Sequence, residues 1–371
     1  MELTDTSLVV LLALLAVAAF GLIVAGSPRR GGPVVRGVVR ALQVVALNVF
    51  VLALAGAALN DQYLFYSSWS DLFGARADTV RVHQGGKPPG GAAAHVQGPG
   101  LPVVGSPLVL PPLPHPGTRL QVFTVSDSRS RTRSEVYVQL PVGYNPRSGR
   151  LYPVIVGLPA LPSGPQGFLR LGVLSTVDRL TAQHRLSPSI VVVPTIDTAT
   201  APDTECVDGA PTEPQTDSWL ARGLPAWTAQ HFRVQRSRLG WTTLGYSSGG
   251  WCAASVAMRH PDVYGAAVVL AGYFRPDFSA AYDPRSSAAQ RGYDLVALAR
   301  TAPPPVSMWV LTSREDSLSY PTTSALLSAA RPPLDVTGTV LARGGHHDAL
   351  VTPYVPVALS WLAQTLPGFR G

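Results

Sequence analysis

A serine hydroxyl does chemistry only when its backbone aims it and a base removes its proton. The stretch Leu244-Gly245-Tyr246-Ser247-Ser248-Gly249-Gly250 reads G-x-S-x-G with Ser247 at its centre. Residues 239–244 before it suit a buried strand, and residues 251–258 after it suit a helix. Strand, tight turn and helix form the context in which such a serine stands exposed at the top of a sheet. Gly245 and Gly249 remove the Cβ atoms that a sharp turn would crowd. The start of the following helix favours negative charge beside Ser247. An ordinary glycine-serine loop is the competing reading, and the flanking strand and helix argue against it.

The base and its supporting carboxylate should follow in the chain, in the order serine, acid, histidine. Glu315 and Asp316 come just after an expected strand at 308–312. His346 and His347 come just after another at 337–341, within Gly344-Gly345-His346-His347-Asp348. Both pairs fall where loops leave the carboxyl ends of strands, the place where α/β sheets bind ligands. Either member of each pair fits. Asp316 and His346 are preferred, the latter because two preceding glycines free the backbone to aim it. Asp348 reads as solvated or locally hydrogen-bonded. His260 lies too far along the helix after Ser247 to reach it and reads as structural.

Charge developing on a substrate oxygen needs backbone donors. One is the N–H of Ser248. The other should come from the loop after an expected strand at 152–156, which reads Gly157-Leu158-Pro159-Ala160-Leu161-Pro162-Ser163-Gly164. Prolines cannot donate, which leaves Ala160 or Leu161, and Leu161 is the choice.

The elements that hold these residues alternate. Residues 120–125 and 134–140 read as antiparallel strands, and 141–146 as a turn. Further strands are expected at 190–194 and 266–270, and helices at 218–232 and 355–366. Strands alternating with helices imply a mostly parallel sheet covered on both faces.

Ahead of this part the composition changes. Of 371 residues, 46% are hydrophobic and only 14% charged, too apolar for an ordinary soluble protein. Residues 8–25 form an uncharged run about as long as a bilayer core requires. A signal peptide needs a positive leading region, whereas residues 1–7 carry Glu2 and Asp5 and no base. A retained transmembrane helix is the expectation. A second apolar run covers 41–60. Arg29, Arg30, Arg36 and Arg40 lie between the two, which assigns the loop 26–40 to the cytoplasm. Tyr63, Phe65, Tyr66 and Trp69 follow as an outer aromatic belt. A buried helical hairpin is the alternative. Residues 1–76 are therefore expected as a membrane anchor, the Gly/Pro-rich 77–117 as a linker, and 118–371 as the chemical domain.

The net charge of +7 comes almost wholly from arginine, since Lys87 is the only lysine. No basic run with interleaved aromatics suggests nucleic acid. No spacing suggests a metal or a dinucleotide, and no cofactor is expected. The two cysteines, Cys206 and Cys252, both fall near the rim of the expected site. They are expected to form a disulfide, with two buried thiols as the alternative.

Four segments resemble the esterase D / antigen 85 group of α/β-hydrolases, the "putative esterase" family. They are Leu140-Pro141-Val142-Gly143-Tyr144 with Tyr152-Pro153-Val154-Ile155-Val156; Asp203-Thr204-Glu205-Cys206 with Trp219-Leu220 and Leu224-Pro225-Ala226-Trp227; Gly245–Gly250 with Arg259-His260-Pro261-Asp262-Val263-Tyr264-Gly265; and Gly344-Gly345-His346. Together they cover about residues 120–366. The resemblance implies an α/β-hydrolase fold, with Ser247 as nucleophile, Asp316 as acid, His346 as base, and Leu161 and Ser248 as oxyanion donors. The chain departs from the family in two places. Pro159-Ala160 stands where His-Gly or Asp-Gly is usual. His347-Asp348-Ala349-Leu350 lacks the usual tryptophan, which points away from a mycolyl-specific site.

The expected function is a membrane-anchored serine esterase facing outward, acting on a small-molecule or lipid ester, with membrane lipid around the hairpin. One alternative passes the acyl group to a sugar or lipid hydroxyl. Another is a silent hydrolase-fold module used for binding.

Overall fold

The computed structural model describes residues 3, 5–26, 32–63, 65–66, 68–73, 79–83, 110–197, 203–278 and 292–371. Nine strands make one sheet among these residues, in the order β1-β9-β8-β7-β6-β4-β5-β3-β2. They are β1 (Thr79–His83), β2 (Leu120–Asp127), β3 (Thr132–Gln139), β4 (Val154–Leu158), β5 (Ile190–Pro194), β6 (Trp241–Tyr246), β7 (Ala266–Leu270), β8 (Ser307–Ser313) and β9 (Asp335–Leu341). The strands from β5 to β9 along that order are parallel to one another, and β1, β2 and β3 pair antiparallel at the two edges.

The central strands are continuous apolar runs because both faces are covered. Alternate side chains go to opposite faces. Ile190 and Val192 join one core with Val154, Val156, Ala267 and Val269. Val191 and Val193 join the other with Ile155, Val268 and Leu270. The first core is roofed by helices Ser248–Arg259, Leu295–Thr301 and Tyr320–Ala329. The second is roofed by Val173–Ala182 and Val355–Thr365. This is the mostly parallel, doubly covered sheet that the sequence predicts.

Where element ends differ from expectation, local chemistry accounts for it. The strand expected at 152–156 runs Val154–Leu158, because Pro153 has no N–H to give the ladder and Tyr152 makes only an isolated bridge to Val234. The strand expected at 239–244 starts at Trp241. Before it, Arg238–Gly240 forms a short 3-10 turn, with Ser237 Oγ accepting from the Leu239 N–H. The helix expected at 218–232 is three pieces, with a π turn at Trp219–Gly223 between Thr216–Ser218 and Leu224–His231. Pro225 cannot donate into a regular ladder there.

Two long helices precede the sheet, α1 (Thr6–Val24) and α2 (Pro33–Tyr63). Both are long and apolar enough to cross a membrane. Leu14, Phe20, Leu42 and Leu52 are exposed on them. The loop expected at 26–40 is shorter, because α2 begins at Pro33 and carries Arg36 and Arg40. Proline is suited to a first helical position, where its missing N–H has no partner to lose. Arg29 and Arg30 lie outside the described residues. Asn60 closes the far end of α2: its side chain donates to Tyr66 O at 2.9 Å and accepts from Tyr66 N–H at 2.8 Å.

The stretch expected as a linker at 77–117 contains β1, which pairs antiparallel with β9 from Thr79↔Leu341 to His83↔Thr337. Thr79-Val80-Arg81-Val82-His83 alternates as a strand should, and it caps an edge of β9 that would otherwise present unpaired backbone. Residues 84–109 lie outside the described residues. At the linker's end, Gln121 holds His115 through both its oxygen and its nitrogen.

Candidate active site

Ser247 stands between β6 and the helix Ser248–Arg259 with φ 57° and ψ −126°. A non-glycine residue with positive φ is strained, and this one is held by bonds on both sides. Its N–H donates to Leu270 O at 3.0 Å, and its carbonyl accepts from Trp251 N–H at 3.0 Å. The glycines are obligatory by distance. A Cβ on Gly245 would lie 1.9 Å from Gly249 O, and one on Gly249 would lie 2.1 Å from Leu158 O. Thr243 Oγ1 donates to Ala253 O at 2.8 Å, which fastens the helix to its strand.

The three expected side chains meet at the carboxyl ends of β6, β8 and β9. His346 Nε2 is 2.7 Å from Ser247 Oγ, and His346 Nδ1 is 2.8 Å from Asp316 Oδ2. Asp316 is fully buried and His346 is 6% exposed. Burial pushes the Asp316 carboxyl up. The hydrogen bond and charge of His346, with donors from Ser319, outweigh that and hold it below the ordinary carboxylate value. Ser319 Oγ donates to Asp316 Oδ2 at 2.8 Å. The N–H groups of Ser319 and Leu318 donate to Oδ1 at 3.0 and 3.1 Å. An ionised carboxylate on Nδ1 fixes the tautomer that leaves Nε2 free to accept the serine proton.

Within each pair the preferred residue is the one that joins the bonded chain to the serine, His346 directly and Asp316 through His346. Glu315 instead accepts the Gly344 N–H at 2.9 Å. His347 faces Asp71, with Nε2 3.0 Å from Asp71 Oδ1. Asp348 is exposed at the start of a short helix. His260 pairs with Asp217 at 3.0 Å, away from Ser247.

On the opposite side, the Leu161 N–H donates to Ser248 Oγ at 2.8 Å. That donor therefore points at the elbow, with a hydroxyl oxygen accepting it. Leu161 itself is 38% exposed.

Cys206 and Cys252 are joined, with a Cα–Cα distance of 5.4 Å. The bridge ties the loop after β5 to the first turns of the elbow helix. Beside it, Trp251 Nε1 donates to Glu205 O at 2.8 Å, and Tyr273 lies parallel to Trp251 at 6.0 Å. Glu205 is buried and accepts from Tyr273 Oη and Asp277 N–H; burial pushes its carboxyl well up.

Four residues of the site escape a reading of the sequence: Ser319, Tyr246, Glu315 in its actual role, and Asp71. Ser319 had a legible signal, since a serine three residues after an aspartate is a local turn pattern. Tyr246 lies in the motif itself, and its ring stacks on His346 at 5.4 Å. Asp71 had none.

A family model described as "Putative esterase" matches residues 128–364. An uncharacterized protein of Corynebacterium glutamicum is 29% identical over 156 residues, 41% of this chain; the chain spans only 36% of that relative's length. An S-formylglutathione hydrolase from Agrobacterium tumefaciens superposes with a TM-score of 0.56 at 21% identity, covering 67% of this chain and 95% of that one. A ferulic acid esterase superposes at 0.55 with 18% identity, covering 66% and 97%. At these identities the structures share the fold. With the family match covering most of the chain, the protein belongs to the "Putative esterase" family of α/β-hydrolases.

Proposed function

We propose that the chain is a membrane-anchored serine esterase whose catalytic domain faces out of the cytoplasm. The single observation that carries the enzymatic reading is the unbroken bond chain from Asp316 through His346 to Ser247. Ser247 Oγ attacks the ester carbonyl while His346 Nε2 takes its proton. The carbonyl π electrons move to oxygen, and the N–H groups of Leu161 and Ser248 receive that charge. In this step the Ser248 hydroxyl gives up the Leu161 N–H to the substrate oxygen. The tetrahedral intermediate collapses, the alkoxide leaves with the proton from His346, and an acyl-enzyme remains. Water, deprotonated by His346, attacks the acyl carbon; the bond from that carbon to Ser247 Oγ then breaks, His346 returns the proton to Oγ, and the acid is freed. Asp316 keeps its charge throughout and stabilises the imidazolium.

The anchoring reading rests on α1 and α2, whose exposed apolar surfaces need an apolar surrounding. Arg29 and Arg30 between them, with Arg36 and Arg40 at the start of α2, support a cytoplasmic connection with both outer ends on the far side. The substrate class is a carboxylic ester, small or lipidic.

Ser247→Ala in the full chain should abolish hydrolysis of a short p-nitrophenyl ester, leaving at most the residual rate that binding alone supplies. Wild-type turnover by this variant would end the assignment.

A further inference from the structure

His346 sits on a loop whose backbone has little to restrain it from within. Gly344 has φ +119°, and Gly345 follows it. The restraint comes from outside. Glu315 holds Gly344 by its N–H. Asp71 does more: its Oδ2 accepts the Gly345 N–H at 2.7 Å, and its Oδ1 lies 3.0 Å from His347 Nε2. One carboxylate thus grips the residues on both sides of His346. His347 Nδ1 accepts the Leu350 N–H at 3.2 Å, which leaves Nε2 as the nitrogen that donates to Asp71. The Tyr66 ring packs on His347 at 4.8 Å.

Asp71 belongs to the short helix Trp69–Leu72, capped by Ser68 Oγ, which accepts the Asp71 N–H at 3.2 Å. This helix comes directly after α2, whose last residue is Tyr63. Asp71 and its His347 partner are nearly buried, at 9% and 12% side-chain exposure. A carboxylate is desolvated there only because its donors replace water. The contact joins the membrane-proximal segment to the loop that carries the base, across 274 residues of chain.

We propose that Asp71 is a positioning residue for His346, so that the segment leaving α2 is part of the catalytic apparatus as well as a tether. This rests on the reading of Ser247 and His346 given above. Asp71 touches no reacting atom. It acts by fixing where the imidazole stands, and a misplacement of about 1 Å in a reacting group costs on the order of 10² in rate.

The test uses the full chain in detergent micelles, with a short p-nitrophenyl ester and a fluorophosphonate probe. Asp71→Ala should lower kcat about tenfold or more while KM stays within about twofold, and the rate of phosphonylation should fall in parallel. Asp71→Asn is isosteric and keeps an oxygen for the Gly345 N–H, so it should fall between Asp71→Ala and wild type. It carries the test if Asp71→Ala does not fold. Wild-type kcat in both variants, with Ser247→Ala inactive, would overturn the positioning role alone. A raised KM at unchanged kcat would overturn it too, by assigning Asp71 to binding. If Ser247→Ala retains turnover, the nucleophile reading falls and this inference falls with it.

Discussion

Burial works against an ionised carboxylate, and Asp316 is completely buried. It stays ionised because His346 and Ser319 supply donors that water would otherwise supply. Removing its charge while keeping its shape should leave the serine in place with a poorly held base. Asp316→Asn is expected to lower kcat by about 10³ to 10⁴, with fold retained by circular dichroism. The same group gives a pH dependence with a definite sign. Its folded value lies below the unfolded value of 3.8. Its stabilising contribution is therefore present above that value and is lost as pH falls through the depressed folded value. The acid limb of the stability curve should be shallower in the Asn variant. Ser247, His346 and Asp316 were legible because their chemistry demands an order along the chain. The choice between Asp316 and Glu315, or His346 and His347, was not. Adjacent residues in a loop point in different directions, and only the backbone path decides which histidine reaches the serine and which acid reaches that histidine.

At the scale of elements, the site is a set of strand ends brought level by a parallel sheet. Leu158 of β4 lies beside Gly245 of β6, and Leu270 of β7 beside Tyr246. That register places the Leu161 loop against the elbow. The disulfide then pins the elbow helix from the other side. Cys206 and Cys252 are 46 residues apart in sequence. In the chain-entropy view, closing a loop of that size stabilises the fold by about 4 kcal/mol. Cys206→Ser with Cys252→Ser, or reduction of the wild type, should lower Tm markedly in a thermal melt. An unchanged Tm on verified reduction would show the bridge contributes nothing. The buried parallel strands were readable as apolar runs, and β5 and β7 were expected with the bounds observed. Two of the misplaced ends trace to Pro153 and Pro225, whose missing N–H groups reset local pairing, and the late start of β6 traces to the turn at Arg238–Gly240. The strand β1 was hidden by the Gly/Pro-rich composition around it, and its partner β9 lies far along the chain.

At the scale of the whole molecule, α1 and α2 expose apolar surface that the sheet domain does not need. The apolar runs behind them were plain in composition, and so was the change to an alternating pattern after them. The contact between the two parts was not. Asp71 is one acid in an aromatic stretch, and nothing near it in sequence points to Gly345 or His347. Long-range pairings of this kind depend on the folded path and leave no local period. The proposed function requires Ser247 to be an activated nucleophile on the outer side of a membrane. The most direct measurement is labelling of intact cells expressing the full chain with a membrane-impermeant fluorophosphonate, followed by mass spectrometry of the modified peptide. A single adduct on Ser247 is expected, and it should disappear in Ser247→Ala and in His346→Ala. Absence of label on folded wild-type protein in detergent, or equal labelling of Ser247→Ala, would contradict it.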